Sequence, residues 1–281
     1  MLSTSGGVQV LHPDDAPALR QLLARDPEVN TFVDYRVELT RLQARWIGGE
    51  IWGYREDGEL VSACHYAANL VPVHAGPAAI EAFAGEAATR PRTCGSMVGP
   101  HDQVMAMWHR LESVWGPARS VRPDQPFLVM RNPSTVPSDP LVRRVAIDEV
   151  DLLYPASVAM YTEEVGASPE TGPTGSGYRG RVAQLVSRGW AFARIEDGEV
   201  VFKAEVGAAT ARACQVQGVW VHPERRGAGL AAPAMAAVVE LALCHIAPVV
   251  TLYVNAHNAA ARATYARVGF ERTASFATVL F

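Results

Sequence analysis

The stretch V-W-V-H-P-E-R-R-G-A-G-L-A, Val219 to Ala231, begins as a strand and ends as the first turn of a helix. Between the two lies Arg226-Gly227-Ala228-Gly229-Leu230-Ala231. Glycine at both positions permits positive φ and close approach of backbone to a ligand. The following helix aims free N–H groups and the positive end of its dipole, roughly half a charge, into that turn. Such a turn suits a phosphate. Arg226 adds a fixed charge whose planar fork matches phosphate oxygens. The spacing is not G-x-x-x-x-G-K-[ST], and it is not G-x-G-x-x-G followed by an acidic ribose reader.

A second stretch follows at a fixed distance. Leu252-Tyr253-Val254-Asn255 reads as a strand. Asn258 then reads as the N-cap of a helix through Arg262, Tyr265 and Val268, stopped by Gly269. Arg226, Gly229 and Ala231 fill the pattern Q/R-x-x-G-x-G/A, after a Val221-His222-Pro223-Glu224 lead-in. Asn258, Tyr265, Gly269 and Phe270 fill N-x-x-A-x-x-x-Y-x-x-x-G-F. Together these resemble the GNAT acyltransferase superfamily over about the last half of the chain.

The resemblance implies a fold, a cofactor and a site. The fold is α/β (α+β), each half a mixed, mostly antiparallel twisted sheet flanked by helices. The cofactor is acetyl-CoA. Its pyrophosphate would sit on Arg226, Gly227, Ala228, Gly229, Leu230 and Ala231. Its pantetheine and thioester would meet the backbone of Val219, Trp220 and Val221. Asn255, Asn258 and Tyr265 would face it from the next strand and helix. Tyr265 would be the general acid that protonates the departing thiolate; a phenol of ordinary pKa near 10 suits that task. The base is open. Many members carry a glutamate on the loop-feeding strand, where this chain has Gln215 and Gln217. Glu163, Glu164 and Glu205 are the candidates.

The first half shows the same order of elements. Val8 to Leu11, Glu50 to Arg55, Leu60 to Asn69, Cys94 to Val98 and Phe127 to Arg131 read as strands. Helices are expected from Asp14, from Pro77 and from about Asp102. In the second half, Val142 to Ile147, Trp190 to Ile195, Glu199 to Val206 and Ala213 to Val221 read as strands. Helices are expected over Val150 to Glu164 and Arg179 to Ser187, and Gly166 to Gly177 reads as a substrate-facing loop. Each half carries an Asp-Gly hairpin signal, at Asp57-Gly58 and Asp197-Gly198. Three prolines in 132–140 mark a linker. The expected domains are 1–135, a linker at 136–140, and 141–281. In the first half Val71-Pro72-Val73-His74-Ala75-Gly76-Pro77 stands where the loop should be and lacks its arginine. That implies a tandem duplication with a degenerate first half, similar to actinobacterial tandem GNAT proteins and, more loosely, to the mycothiol synthase group.

Composition sets the remaining bounds. With 281 residues, 49% hydrophobic and 19% charged, the chain can bury two cores. A net charge of −4 with no basic run argues against nucleic acid. No apolar run reaches the ~18 residues of a membrane span. The start M-L-S-T-S-G-G has neither a charged n-region nor an apolar h-region, so a cytoplasmic location is expected. Cys64, Cys94, Cys214 and Cys244 form no C-x-x-C pair, and no metal is expected. Lys203 is the single lysine of the chain. The expected reaction is acetyl transfer to a primary amine of a small molecule or peptide, and a homodimer is compatible with the sequence. The alternatives are a mycothiol-synthase-like transfer and a silent acyl-CoA sensor.

Overall fold

Ile51 and Trp52 are neighbours in one strand and point to opposite faces of its sheet, as the two-residue period requires. Ile51 joins Leu19, Leu22, Val37 and Val73 in one apolar cluster; Trp52 joins Phe83, Met107 and Leu111 in another. A sheet buried on both faces follows, with helices on each.

The computed structural model describes residues 7–171 and 175–281. The elements begin with β1 (Val8–Val10), α1 (Ala16–Leu23), α2 (Thr31–Thr40), α3 (Ala44–Ile47), β2 (Glu50–Glu56), β3 (Glu59–Tyr66) and β4 (Asn69–Val73). Next come α4 (Pro77–Ala88), β5 (Ser96–Pro100), α5 (His101–Trp115), β6 (Ser120–Met130), β7 (Val142–Arg144), α6 (Val150–Val165) and α7 (Gly175–Ser187). The chain closes with β8 (Ala191–Glu196), β9 (Glu199–Ala209), β10 (Cys214–Val221), α8 (Ala231–His245), β11 (Val250–Tyr253), α9 (Ala259–Val268) and β12 (Glu271–Leu280).

Contacts divide the chain into two units. The first runs through Phe127 and includes Tyr253–His257 and Arg272–Phe281; the second is Leu128–Leu252 with Asn258–Glu271. This division differs from one made in chain order at 136–140, because the closing strand counts with the first unit. There β12 pairs antiparallel with β5, from Phe276 opposite Pro100 to Leu280 opposite Ser96, and so covers an edge that would otherwise present unpaired backbone.

In the first unit β1, β2, β3 and β4 pair antiparallel in turn, and β4 pairs β5 in parallel. In the second, β7, β8, β9 and β10 pair antiparallel in turn, and β10 pairs β11 in parallel. The same mixed, mostly antiparallel arrangement therefore occurs twice. Both hairpins close as expected: Asp57 and Gly58 have φ of 49° and 87°, and Asp197 and Gly198 have 48° and 80°. Two successive positive φ values are the mark of a type I′ turn, whose twist matches that of the flanking strands. Pro77 takes the first turn of α4, where its missing N–H costs nothing.

Three expectations need correction. The single strand read from Leu60 to Asn69 is two, because the chain turns after Tyr66 and the Ala67 N–H donates to Asn69 O at 3.3 Å. The strand read from Val142 to Ile147 stops at Arg144. Two helices, α2 and α3, occupy a region with no sequence reading. The loop expected over Gly166 to Gly177 lies in part outside the described residues, and its last residues begin α7.

Candidate active site

β10 carries an irregularity at its centre. Gln217 stands opposite Glu205 and Trp220 opposite Lys203, so Gly218 and Val219 together face Ala204 alone. Two residues against one is a β-bulge, which breaks the ladder and re-aims the backbone there. Gly218 has φ +59°, and a Cβ on it would meet Met160 Cε at 3.0 Å and Glu205 Cδ at 3.1 Å. The dihedral favours glycine here, and any side chain would press on the carboxyl packed against it. On the other edge of β10, the parallel register with β11 comprises Cys214 opposite Val250 and Gln215 opposite Thr251. From there β10 runs on to Val221 past the end of that register. Val219, Trp220 and Val221 therefore lie on the part of β10 beyond that register.

The turn after β10 fits an anion. Gly227 and Gly229 have φ of 77° and 78°, and a Cβ on either would meet nothing within 4 Å. Ala228 is exposed, Leu230 sits at the N-cap of α8, and Ala231 is its first residue. The Ala234 N–H donates to Leu230 O at 3.2 Å, which leaves the N–H groups of Ala231 and Ala232 ahead of the helix's own bonding. These groups fit a pyrophosphate. Arg226 belongs to the same turn, but its guanidinium is turned inward. Its Nη2 contacts Glu163 at 2.8 and 3.0 Å, and its Nε donates to Val221 O at 3.0 Å.

Asn258 caps α9, its Oδ1 accepting from the Ala261 N–H at 3.0 Å, and Gly269 ends the helix at φ 112°. Tyr265 lies on this helix, 6% exposed, edge-on to Phe270. Burial, and then the nearby Glu164 carboxylate, push its phenol above the ordinary value. Such a group stays a proton donor at neutral pH. Asn255 is placed differently: it lies past the end of β11, counts with the first unit, and accepts from Gln125 Nε2 at 2.8 Å.

The three candidate glutamates have distinct surroundings. Glu163, at the end of α6, accepts from Trp220 Nε1 at 3.0 Å as well as from Arg226, so it ties that helix to the end of β10. Glu164 is exposed and acts on Tyr265 through space. Glu205 is buried on β9, against the bulge. Its Oε2 accepts from Lys203 Nζ at 2.9 Å and its Oε1 from Gln217 Nε2 at 3.1 Å. Sequence reasoning missed Lys203 as a partner of Glu205. The signal was present: residues two apart on a strand share a face, and Lys203 and Glu205 stand two apart in an otherwise apolar run.

The corresponding turn in the first unit is built differently. β4 and β5 pair in parallel at Asn69 with Ser96 and Leu70 with Met97. Just beyond, Pro72 Cδ lies 3.6 Å from where a Cβ of Gly99 would stand. The Ala75 N–H, in the turn before α4, donates to Gln103 Oε1 at 2.9 Å. Pro77 at the helix start has no N–H to offer.

Among the described residues no group of three or more His, Cys, Asp or Glu is placed to hold a metal, and no helix is long and apolar enough to cross a membrane. Residues 157–270 match the acetyltransferase (GNAT) family, and residues 49–153 match a domain of unknown function, DUF4081. No curated protein matches the chain. Solved structures match over its whole length. A GCN5-related N-acetyltransferase from Sphaerobacter thermophilus is 17% identical, with 99% of this chain and 96% of that one covered and a TM-score of 0.59. An acetyltransferase from the GNAT family from Colwellia psychrerythraea is 13% identical, at 98% and 99% coverage and 0.55. A tandem GNAT protein from the clavulanic acid biosynthesis pathway is 16% identical, at 97% and 98% and 0.54. At these identities the likeness is one of fold. Residues 157–270 thus form a GNAT-family acetyltransferase region preceded by a DUF4081 region, and the whole length takes the tandem GNAT fold.

Proposed function

We propose that the chain is an acetyl-CoA-dependent N-acetyltransferase that acts on a primary amine, with its site in the second unit. The observation that carries this reading is the pairing of the Gly218–Val219 bulge in β10 with the open glycine turn that follows it. The cofactor supplies an activated acetyl group. The N–H groups from Gly227 to Ala232 and the Arg226 side chain hold its pyrophosphate. The bulge backbone holds its pantetheine and orients the thioester carbonyl.

The transfer balances as follows. The amine nitrogen bonds to the acetyl carbon, the carbon–sulfur bond breaks, and the sulfur takes a proton from Tyr265. The proton lost by the amine passes to Glu205, whose carboxyl lies against the bulge with lone pairs beyond those used by Lys203 and Gln217. Tyr265 and Glu205 then return to their starting states by exchange with water. Glu163 serves Arg226 and Trp220 and is not the base in this reading. Asn258 acts as a helix cap. The first unit takes no CoA, since Pro72, Gln103 and Pro77 occupy or remove the groups that would hold it.

The test is a panel of primary amines incubated with acetyl-CoA and the full chain, with the N-acetyl product identified by mass spectrometry. Acetylated product from at least one amine is expected. CoA binding with no product from any amine would favour a silent acyl-CoA sensor.

A further inference from the structure

Lys203 is the only lysine in a chain whose other side-chain cations at neutral pH are arginines, and it is fully buried at 0% exposure. Burying a lysine–glutamate pair removes two charges from water, and the Coulombic return seldom exceeds that cost. Such a pair is weak evidence for stability and calls for another reason. Lysine also differs from arginine in kind. It is a compact point charge with three rotatable donors, where arginine is a wide planar fork.

The geometry around it is specific. Lys203 and Glu205 share a face of β9, and Lys203 Nζ reaches Glu205 Oε2 at 2.9 Å. Gln217, directly across on β10, reaches Oε1 at 3.1 Å. Each carboxyl oxygen is thereby held from one side. The carboxyl carbon packs where Gly218 has no side chain, under Met160 of α6. Tyr178 of α7 is near enough that the Glu205 charge, after burial, pushes its phenol above the ordinary value. Its hydroxyl donates to Ser157 O at 2.9 Å rather than to Glu205.

We propose that Lys203 is a positioning residue for the transfer: it holds Glu205 and aims it at the Gly218–Val219 bulge, where Glu205 receives the N–H of the acceptor. This rests on the N-acetyltransferase reading. Without Lys203 one carboxyl oxygen loses its hold, and the carboxyl is free to turn away from the bulge.

Two readouts test this on the full chain. Lysine labelled with nitrogen-15 at Nζ gives a single resonance, since there is a single lysine. The proposal expects an ammonium signal protected from solvent exchange, which loses that protection in Glu205→Gln. An unprotected signal, or one unmoved by Glu205→Gln, would overturn the hold whether or not an acceptor has been found. The second readout is kinetic, on any amine the wild type acetylates. Lys203→Met should lower kcat by about 10²-fold, the lower end for a positioned proton acceptor, with the KM for acetyl-CoA unchanged. The double variant with Glu205→Gln should be no slower than Glu205→Gln alone. Losses that multiply in the double variant would make Lys203 an independent structural residue. If Lys203→Met does not fold, Gln217→Met removes the other hold and leaves the buried charges paired. It should lower kcat alone by about 10-fold, the scale of one hydrogen bond, and a wild-type kcat would count against the aiming of Glu205. Absence of turnover with every amine would sink the enzyme reading, while the resonance still decides the Lys203–Glu205 hold.

Discussion

Arg226 Nη2 lies 2.8 Å from Glu163 Oε2, so a carboxylate from the end of α6 occupies the guanidinium that the turn would offer to a pyrophosphate. Both side chains are about half exposed, at 48% and 47%, and the pair is weak on its own. Arg226→Ala should weaken CoA binding by about 1.5–3 kcal/mol, the scale of a charge-assisted hydrogen bond. Glu163→Gln should leave CoA binding unchanged or tighten it by up to about 1 kcal/mol, because it removes a competitor. Calorimetric titration reads both. A Glu163→Gln variant that binds CoA more weakly would show that the carboxylate aims Arg226 at the phosphate and does not compete with it.

Tyr265→Phe keeps the ring and its edge contact with Phe270 and deletes only the donor. It should bind CoA normally and lose turnover by about 10²–10⁴-fold. Near-wild-type turnover with chemistry rate-limiting would give that proton to water. The raised phenol also has a sign in stability. Once pH passes the ordinary tyrosine value of about 10, the unfolded chain loses this proton and the native state keeps it. The native state then holds more protons, so stability falls with rising pH. Tyr265→Phe should flatten that alkaline decline in denaturant melts; an unchanged slope would show that another group sets it.

Gly218→Ala tests the bulge. The substitution forces a side chain to φ +59° and presses it on Glu205 and Met160. We expect a loss of about 1–3 kcal/mol in stability, the usual cost of a strained backbone position. Turnover should fall further than stability explains, because the carboxyl moves. A variant that melts lower but keeps wild-type kcat would separate Glu205 from the chemistry.

The different turn of the first unit makes a stoichiometric prediction. The full chain should bind about one CoA, since the first unit's turn has no arginine and its Ala75 N–H is already taken by Gln103. Two sites of similar affinity by calorimetry would mean that Gln103 and Pro72 yield to the ligand.

Much of this was legible in the residues. Asp57-Gly58 and Asp197-Gly198 announce their turns because two positive φ values are costly for other residues. Gly227 and Gly229 do the same for the turn before α8, and Asn258 for the helix it caps. The missed helix α2 buries Thr31, Val33, Tyr35 and Val37, a two-residue alternation over part of its length, with no side-chain cap to mark its start. Glu163 was legible as a candidate but not in its role, which depends on Trp220 and Arg226, far along the chain. The placement of β12 with the first unit was likewise hidden, because strand pairing across the chain leaves no local pattern. Lys203 and Glu205 could have been paired from strand periodicity alone.

The most direct test of the account is a rapid-mix experiment. The full chain is pre-loaded with acetyl-CoA and mixed with an amine from the panel, and free CoA thiol is followed alongside N-acetyl product. The account predicts thiol and product in equal amounts and at the same rate, lost together in Tyr265→Phe. Thiol release without N-acetyl product, at a rate indifferent to the amine, would contradict amine acetylation by this chain.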